Sequence, residues 1–332
     1  MVFTHTPEIE GNVPLFTTKE DVKADETSAR NEPRNVTGPG SSFRIRKMDD
    51  ADLGRIMELR SVVHWSADPR AFDLLRGVRD ARWAVAEAPD GAVVGMVGAV
   101  PLGSIGILCH LAVRDGYRDL GLGAGLSSWA VAYLKSRGAK TVRLYSTRQA
   151  EGLYRSLGFR ELSARTVYRL EGAPRGPRVP ERAHGYGVET LTFADLPGLY
   201  GVDRWCYGAD RSHLVFATLR LHPGKGLVAW DSSGGIKGYL IRSTGGDATH
   251  LGPFIAETPP VARRLLTRAL RETGPSPVRV IVPGPDANPA HALLREFGFE
   301  GREDRLRMEL GARTGEGPVG LVHYGTTPYL AT

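Results

Sequence analysis

The residues of this sequence best suited to chemistry by type and spacing run from Leu111 to Ala124. Leu111-Ala112-Val113 reads as a strand end, Arg118-Asp119-Leu120-Gly121-Leu122-Gly123-Ala124 as a glycine-rich turn, and the stretch from about Leu122 to Ser136 as a helix. A strand, a turn and a helix start in this order bind phosphate, because unpaired backbone N–H groups and the positive end of the helix dipole converge on an anion. Gly121, Gly123 and Gly125 lack the side chains that would block a pyrophosphate. The dinucleotide motif G-x-G-x-x-G is absent, and no acidic residue ends a second strand about 20 residues on. Taken alone, the glycines also suit a bare strand-to-helix turn. Cys109 and His110 precede the loop on the same strand. Alternation sends them to opposite faces, and a histidine there can titrate near neutral pH.

The elements around this loop form a mixed α/β unit of α+β type. Phe43–Met48 reads as a strand, and Asp49 or Asp50 caps a helix reaching about Val63, with Leu53, Ile56, Met57 and Leu59 near helical spacing. Trp83–Glu87, Val93–Val100 and Ile105–Val113 read as strands, the first two joined at Pro89-Asp90-Gly91. After the loop helix, with Leu126, Trp129, Ala130, Tyr133 and Leu134 on one face, come a strand at Thr141–Ser146, a short helix at Gln149–Leu157 and a strand at Ala164–Leu170. Antiparallel strands thus precede a strand–loop–helix–strand unit.

The full chain has 332 residues, enough for two domains. Residues 1–42 carry a net charge of −3 and end in Thr37-Gly38-Pro39-Gly40-Ser41-Ser42, so a disordered arm is expected there. A Pro/Gly linker is expected at 172–183, between units at 43–171 and 184–332. Ala51-Asp52-Leu53 and Ala194-Asp195-Leu196 are 143 residues apart, as are Gly95 and Gly238, while Tyr154-Arg155-Ser156-Leu157-Gly158-Phe159 and Leu294-Arg295-Glu296-Phe297-Gly298-Phe299 are 140 apart. The two halves therefore read as repeats.

Composition excludes several classes. No apolar run is long enough to span a membrane, and the acidic N-terminus lacks the features of a signal peptide. Two cysteines, Cys109 and Cys206, lie in different halves, which fits a reducing, cytoplasmic setting. Of the 43 basic residues 36 are arginine, dispersed rather than clustered, so the net charge of +6 does not point to a nucleic-acid partner. The expected class is a cytoplasmic protein with no nucleic-acid or membrane partner, monomeric or homodimeric.

The order Leu-Ala-Val, Tyr117-Arg118-x-x-Gly121-x-Gly123-Ala124 and, about 30 residues later, Leu153-Tyr154-Arg155-x-Leu157-Gly158-Phe159 resembles the GNAT superfamily of acyl-CoA N-acyltransferases. Over the whole chain, the tandem resembles the YitH-type proteins, whose C-terminal half is a degenerate acetyltransferase domain. The resemblance implies two GNAT-like domains, each a mixed, mostly antiparallel sheet flanked by helices, with acetyl-CoA as co-substrate, no metal, and a small-molecule amine as acceptor. It places CoA between Ile105–Val113 and Thr141–Ser146. Leu111, Ala112 and Val113 would hold pantetheine; Arg118, Gly121, Leu122, Gly123 and Ala124 would hold the pyrophosphate. Thr147 stands where the family commonly has asparagine. Direct attack of the amine on the thioester requires an acid, for which Tyr154 stands at the family's position, and a base, for which His110 or water are candidates. Trp65, Asp68 and Glu87 are expected at the acceptor. A non-catalytic acyl-CoA sensor, transfer of a longer acyl group, and acylation of a peptide or protein N-terminus are the other readings.

The second half departs from this pattern. Where the first has its glycine loop it has Glu257-Thr258-Pro259-Pro260-Val261-Ala262-Arg263, and Leu294 stands in place of Tyr154. Proline offers no N–H, so this half is expected to have lost CoA binding. The segment Trp205 to Arg211, with Asp210, is expected to help wall the acceptor pocket.

Overall fold

The computed structural model describes residues 34–38, 41–63, 65, 69–173, 186–245, 247–284, 287–312 and 322–325. The first two strands, β1 (Arg34–Gly38) and β2 (Ser41–Lys47), pair antiparallel, with Phe43 and Ile45 of β2 buried at period two. The expected arm therefore ends earlier than residue 42: Arg34–Gly38 belongs to the sheet, and residues 1–33 lie outside the described residues.

Asp49 opens the first helical segment with a capping box: its side chain accepts from the Ala51 N–H, and the Asp52 side chain accepts from the Asp49 N–H. A turn of 3₁₀ helix then leads into α1 (Leu53–Val62). A further helix, α2 (Pro69–Arg76), follows and buries Phe72 and Leu75. Next come β3 (Arg82–Glu87), β4 (Val93–Leu102), β5 (Ile105–Val113), α3 (Leu122–Ser136), β6 (Thr141–Ser146), α4 (Glu151–Ser156) and β7 (Arg160–Leu170). The second half repeats the order: β8 (Gly187–Thr190), α5 (Leu196–Tyr207), α6 (Ser212–Leu221), β9 (Gly226–Trp230), β10 (Ile236–Gly245), β11 (Ala248–Ala256), α7 (Pro259–Thr273), β12 (Val278–Val282), α8 (Pro289–Glu296) and β13 (Glu300–Gly311), with β14 (Val322–Gly325) added. Among the described residues, no helix is long and apolar enough to cross a membrane.

The strands form one sheet in the order β1-β2-β3-β4-β5-β6-β13-β7-β12-β11-β10-β9-β8, with β14 beside β11. The two halves exchange their last strands. β13 pairs with β6, Leu306 opposite Ser146, while β7 pairs with β12, Thr166 opposite Val282. The cores are exchanged accordingly. Leu306 and Met308 pack with Leu126, Trp129 and Leu144 of the first half, and Tyr168 and Leu170 pack with Leu265 and Val280 of the second. Units at 43–171 and 184–332 are thus halves of one interlocked body, each completed by the other.

A buried pair fastens the exchange. Arg143 Nε donates to Glu309 Oε1 at 2.7 Å, and Arg307 donates to the same oxygen at 2.7 Å. Burial acts to raise the Glu309 carboxyl, but the two guanidiniums outweigh it and hold the group below its ordinary 4.5. Stability from this group is present in full above that ordinary value and is lost as pH falls through the lowered one. The E309Q variant is expected to be less stable at pH 7 and to lose less stability than wild type between pH 5 and 3, read from urea midpoints. Parallel acid limbs in the two proteins would contradict this.

Candidate active site

The site begins where β5 leaves β6. These strands run parallel and pair only at Ile105–Thr141, Gly106–Val142 and Ile107–Arg143. Beyond Ile107 no described strand lies against this edge of β5, and a cavity of about 590 Å³ opens, lined by residues 108–113 of β5, 144–146 of β6 and Thr147. A β-bulge accounts for the divergence. Gly98 faces Cys109 and Met96 faces Ala112, so an extra residue stands in β5, and His110 adopts φ 54°. Such a bulge bends its strand and re-aims side chains. It also overturns the alternation expected at this point, because Cys109 and the His110 ring both pack on the α1–α2 side, against Phe72 and Trp65.

The phosphate loop occupies one end of the cavity. Asp119 (φ 61°) and Gly121 (φ 78°) take left-handed conformations, and Gly121 is the N-cap of α3 without a side-chain cap. The first intrahelical bond runs from the Gly125 N–H to the Gly121 carbonyl, so the N–H groups of Leu122, Gly123 and Ala124 have no helical acceptor. Arg118, Gly121, Gly123 and Ala124 line the cavity, with Arg118 paired to Asp115 at 2.7 Å. The Leu122 side chain is buried in the core, leaving only its backbone for this role. Val36 of β1 packs behind the loop, where a Cβ on Gly125 would lie 3.0 Å from it. A leucine at Gly123 would start 3.2 Å from Leu153 and fill the cradle. Losing one charge-assisted N–H bond to phosphate, worth about 1.5–3 kcal/mol, predicts about 10- to 100-fold weaker CoA binding by G123L in calorimetry. Wild-type affinity would remove the loop assignment.

Tyr154, on α4, is buried edge-on to Phe159 with ring centroids 5.7 Å apart, and it lines the cavity. Its hydroxyl makes no hydrogen bond to another described residue. Burial raises its pKa, with Arg305 opposing the rise, so it stays a neutral phenol able to donate. Thr147 lines the wall and caps the turn before α4, accepting from the Ala150 N–H at 3.3 Å. Burial pushes the Cys109 thiol up to about 12, which keeps it protonated and unsuited to nucleophilic attack.

His110 lines the cavity, but its Nδ1 lies 2.7 Å from Arg60 Nη1. Arginine can only donate, so Nδ1 is the acceptor and the ring proton sits on Nε2. A second ring proton would set imidazolium beside a buried guanidinium, which disfavours the expected base role. Trp65 also lines the cavity, edge-on to His110 at 5.7 Å and beneath Arg60 at 5.7 Å. Asp68 lies outside the described residues.

Three expected acceptor residues are elsewhere. Glu87 is held by Arg46, whose Nε and Nη2 donate to Oε2 at 2.8 and 2.6 Å, because its strand end faces β2 and not the cavity. Trp205 is 56% exposed on α5 and does not line the cavity. Asp210 accepts from Arg204 at 2.6 Å and from the Ser212 N–H, the first of α6, at 3.0 Å. The cavity instead has Tyr145, Ser146 and Arg305. Proximity to Thr147 could have flagged the first two; nothing local could have flagged Arg305.

The second half has a matching splay, and it is filled. β11 and β12 pair only at Thr249–Val278 and His250–Arg279. Beyond them β14 pairs with β11, Phe254 opposite Gly325 and Ala256 opposite Val322. A Cβ on Gly325 would lie 2.8 Å from the Leu251 carbonyl and 3.0 Å from Val280, so the wedge is closed by backbone. Prolines occupy the first turn of α7, removing N–H donors.

One open splay between parallel strands, with a phosphate-binding turn at its end, defines a domain of the acyl-CoA-binding acyltransferase class. GNAT acetyltransferase domain models match residues 79–161 and residues 200–320. No curated protein matches the sequence. Among solved structures the chain is similar to a putative acetyltransferase from Pyrococcus horikoshii, at 21% identity and TM-score 0.70, covering 87% of this chain and 96% of that one. It is also similar to a GCN5-related N-acetyltransferase from Sphaerobacter thermophilus, at 20% identity and TM-score 0.59, covering 84% and 98%. A tandem GNAT protein from the clavulanic acid biosynthesis pathway matches at 18% identity and TM-score 0.59, covering 82% and 99%. At these identities the structural likeness is one of fold. The chain belongs to the GNAT superfamily and carries two GNAT domains in tandem.

Proposed function

We propose that this chain is an acetyl-CoA-dependent N-acetyltransferase with one active site, in the first domain, acting on an amine of a small molecule. One cavity lined by the phosphate-binding turn, by the β5 edge beyond its pairing with β6 and by Tyr154 supports this reading. The filled wedge of the second domain supports one site over two.

In this reading the N–H groups of Leu122, Gly123 and Ala124 hold the pyrophosphate, and the free edge of Leu111–Val113 pairs with the pantetheine amides. The amine nitrogen attacks the thioester carbonyl. The C–N bond forms, the C–S bond breaks, and the sulfur takes a proton from Tyr154. Backbone N–H groups at the β5 bulge face the developing oxyanion. Among the described residues the only carboxylate lining the cavity is Asp119, at the phosphate end, so the amine proton leaves to water, which re-protonates Tyr154. The products are an N-acyl amine and free CoA thiol.

Thiol release from acetyl-CoA across a library of small amines tests the proposal. Release that requires one class of amine is the expected result. Tight CoA binding with no thiol from any acceptor, peptides included, would favour an acyl-CoA sensor.

A further inference from the structure

The cavity holds a cation delivered by the second domain, within electrostatic reach of the Tyr154 hydroxyl. The register between β13 and β7 slips between Glu303 and Arg305, and Arg305 lines the cavity together with Trp65, Tyr145 and Tyr154. Its Nε is buried without a hydrogen bond, and the carboxylate beside it is Asp304, at 3.6 Å. Asp304 is already engaged by Arg165, whose Nε and Nη2 both donate to Oδ2. Asp304 is thus shared between two guanidiniums. The buried Nε–H remains unsatisfied, which costs stability, and an anion in the cavity would give the guanidinium a counter-charge of its own.

That anion does not come from acyl-CoA as placed by the proposed function. Its pyrophosphate belongs to the Gly121–Ala124 turn, its 3′-phosphate lies on the adenosine side of that pyrophosphate, away from the thioester, and the thioester itself carries no charge. The charge must then be on the acceptor. Resting on the acyl-transfer reading, we infer that the acceptor is an amine bearing a carboxylate, an amino acid or a close analogue, with Arg305 holding that carboxylate. The planar guanidinium fork suits a carboxylate and fixes the direction from which the amine approaches the thioester. The second domain thereby supplies a specificity residue to the active site of the first.

The test uses the full chain, as wild type, Arg305→Gln and Arg305→Lys. Thiol release is measured with amino acids and with the corresponding amino acid amides. Wild type is expected to favour acids over amides at least tenfold in kcat/KM, expressed mainly in KM. Arg305→Gln is expected to lose that preference, and Arg305→Lys to keep part of it. Calorimetry of the protein–CoA complex with a panel of N-acetyl amino acids and their amides gives a second readout independent of turnover, with the same preference expected. Equal use and equal binding of acid and amide by wild type would overturn the inference while leaving acyl transfer standing. A preference unchanged in Arg305→Gln would overturn it too. No thiol from any acceptor, alongside acid-selective binding that Arg305→Gln abolishes, would end the acyl-transfer reading and keep the anion site.

Discussion

Replacing Tyr154 by phenylalanine is expected to lower kcat by about 10²–10⁴-fold, the usual contribution of a positioned general acid, with little change in CoA affinity. The ring would be retained, and with it the edge-on packing on Phe159 and the place of α4 in the core. Only the hydroxyl is lost, and it bonds to no other described residue. The two readouts therefore separate: a structural role would lower CoA affinity and thermal stability together, whereas an acid role lowers turnover alone. Burial holds the phenol above its ordinary 10.0, so the donor should persist through that pH in wild type. Turnover of Y154F within a factor of two or so of wild type would remove Tyr154 from the mechanism.

The second large effect is on stability. Asp203, on α5, binds Arg211 through both carboxylate oxygens, at 2.8 and 2.9 Å, and also accepts from the Tyr239 hydroxyl. Arg211 is 1% exposed and stacks over Tyr207 at 4.3 Å. Asp203→Ala would leave a guanidinium buried without its counter-charge, at a cost of about 3–5 kcal/mol and on the order of 10 °C in Tm. Removing both charges in Asp203→Leu with Arg211→Met should cost less than the single change, because no unpaired ion remains. Strand exchange adds a further expectation. Leu306 and Met308 belong to the core of the first half, so loss of the second domain should carry CoA binding with it in one transition. A Tm for Asp203→Ala within about 2 °C of wild type would contradict the account.

These residues mark the limits of reading the chain linearly. The segment from Trp205 to Arg211 suggested an acceptor wall, yet its charged members serve the fold. Arg211 closes a buried pair with Asp203, and Asp210 accepts from the first N–H of α6. Glu87 failed for a similar reason: a strand-end carboxylate can be assigned only once the strand beside it is known, and that strand brings Arg46. Asp68 before Pro69 fits a helix start and a substrate-binding loop about equally well, so that signal alone does not decide the α2 helix. His110 was placed on the right strand, but strict alternation cannot register a bulge, and its bond to Arg60 spans 50 residues.

What the sequence determined by itself was local. Glycines at Gly121 and Gly123, a helix starting at Leu122, and the Leu153–Phe159 segment need no distant partner, and the repeat with its prolines at Pro259 and Pro260 already marked one half as altered. What only the tertiary structure decided depends on long-range pairing: the exchange of β7 and β13, the strand β14 closing the second wedge, and Arg305 entering the first domain's cavity. Backbone hydrogen bonding is indifferent to side-chain identity, so which strand pairs with which is settled by the burial of whole faces against each other, a property of the assembled chain.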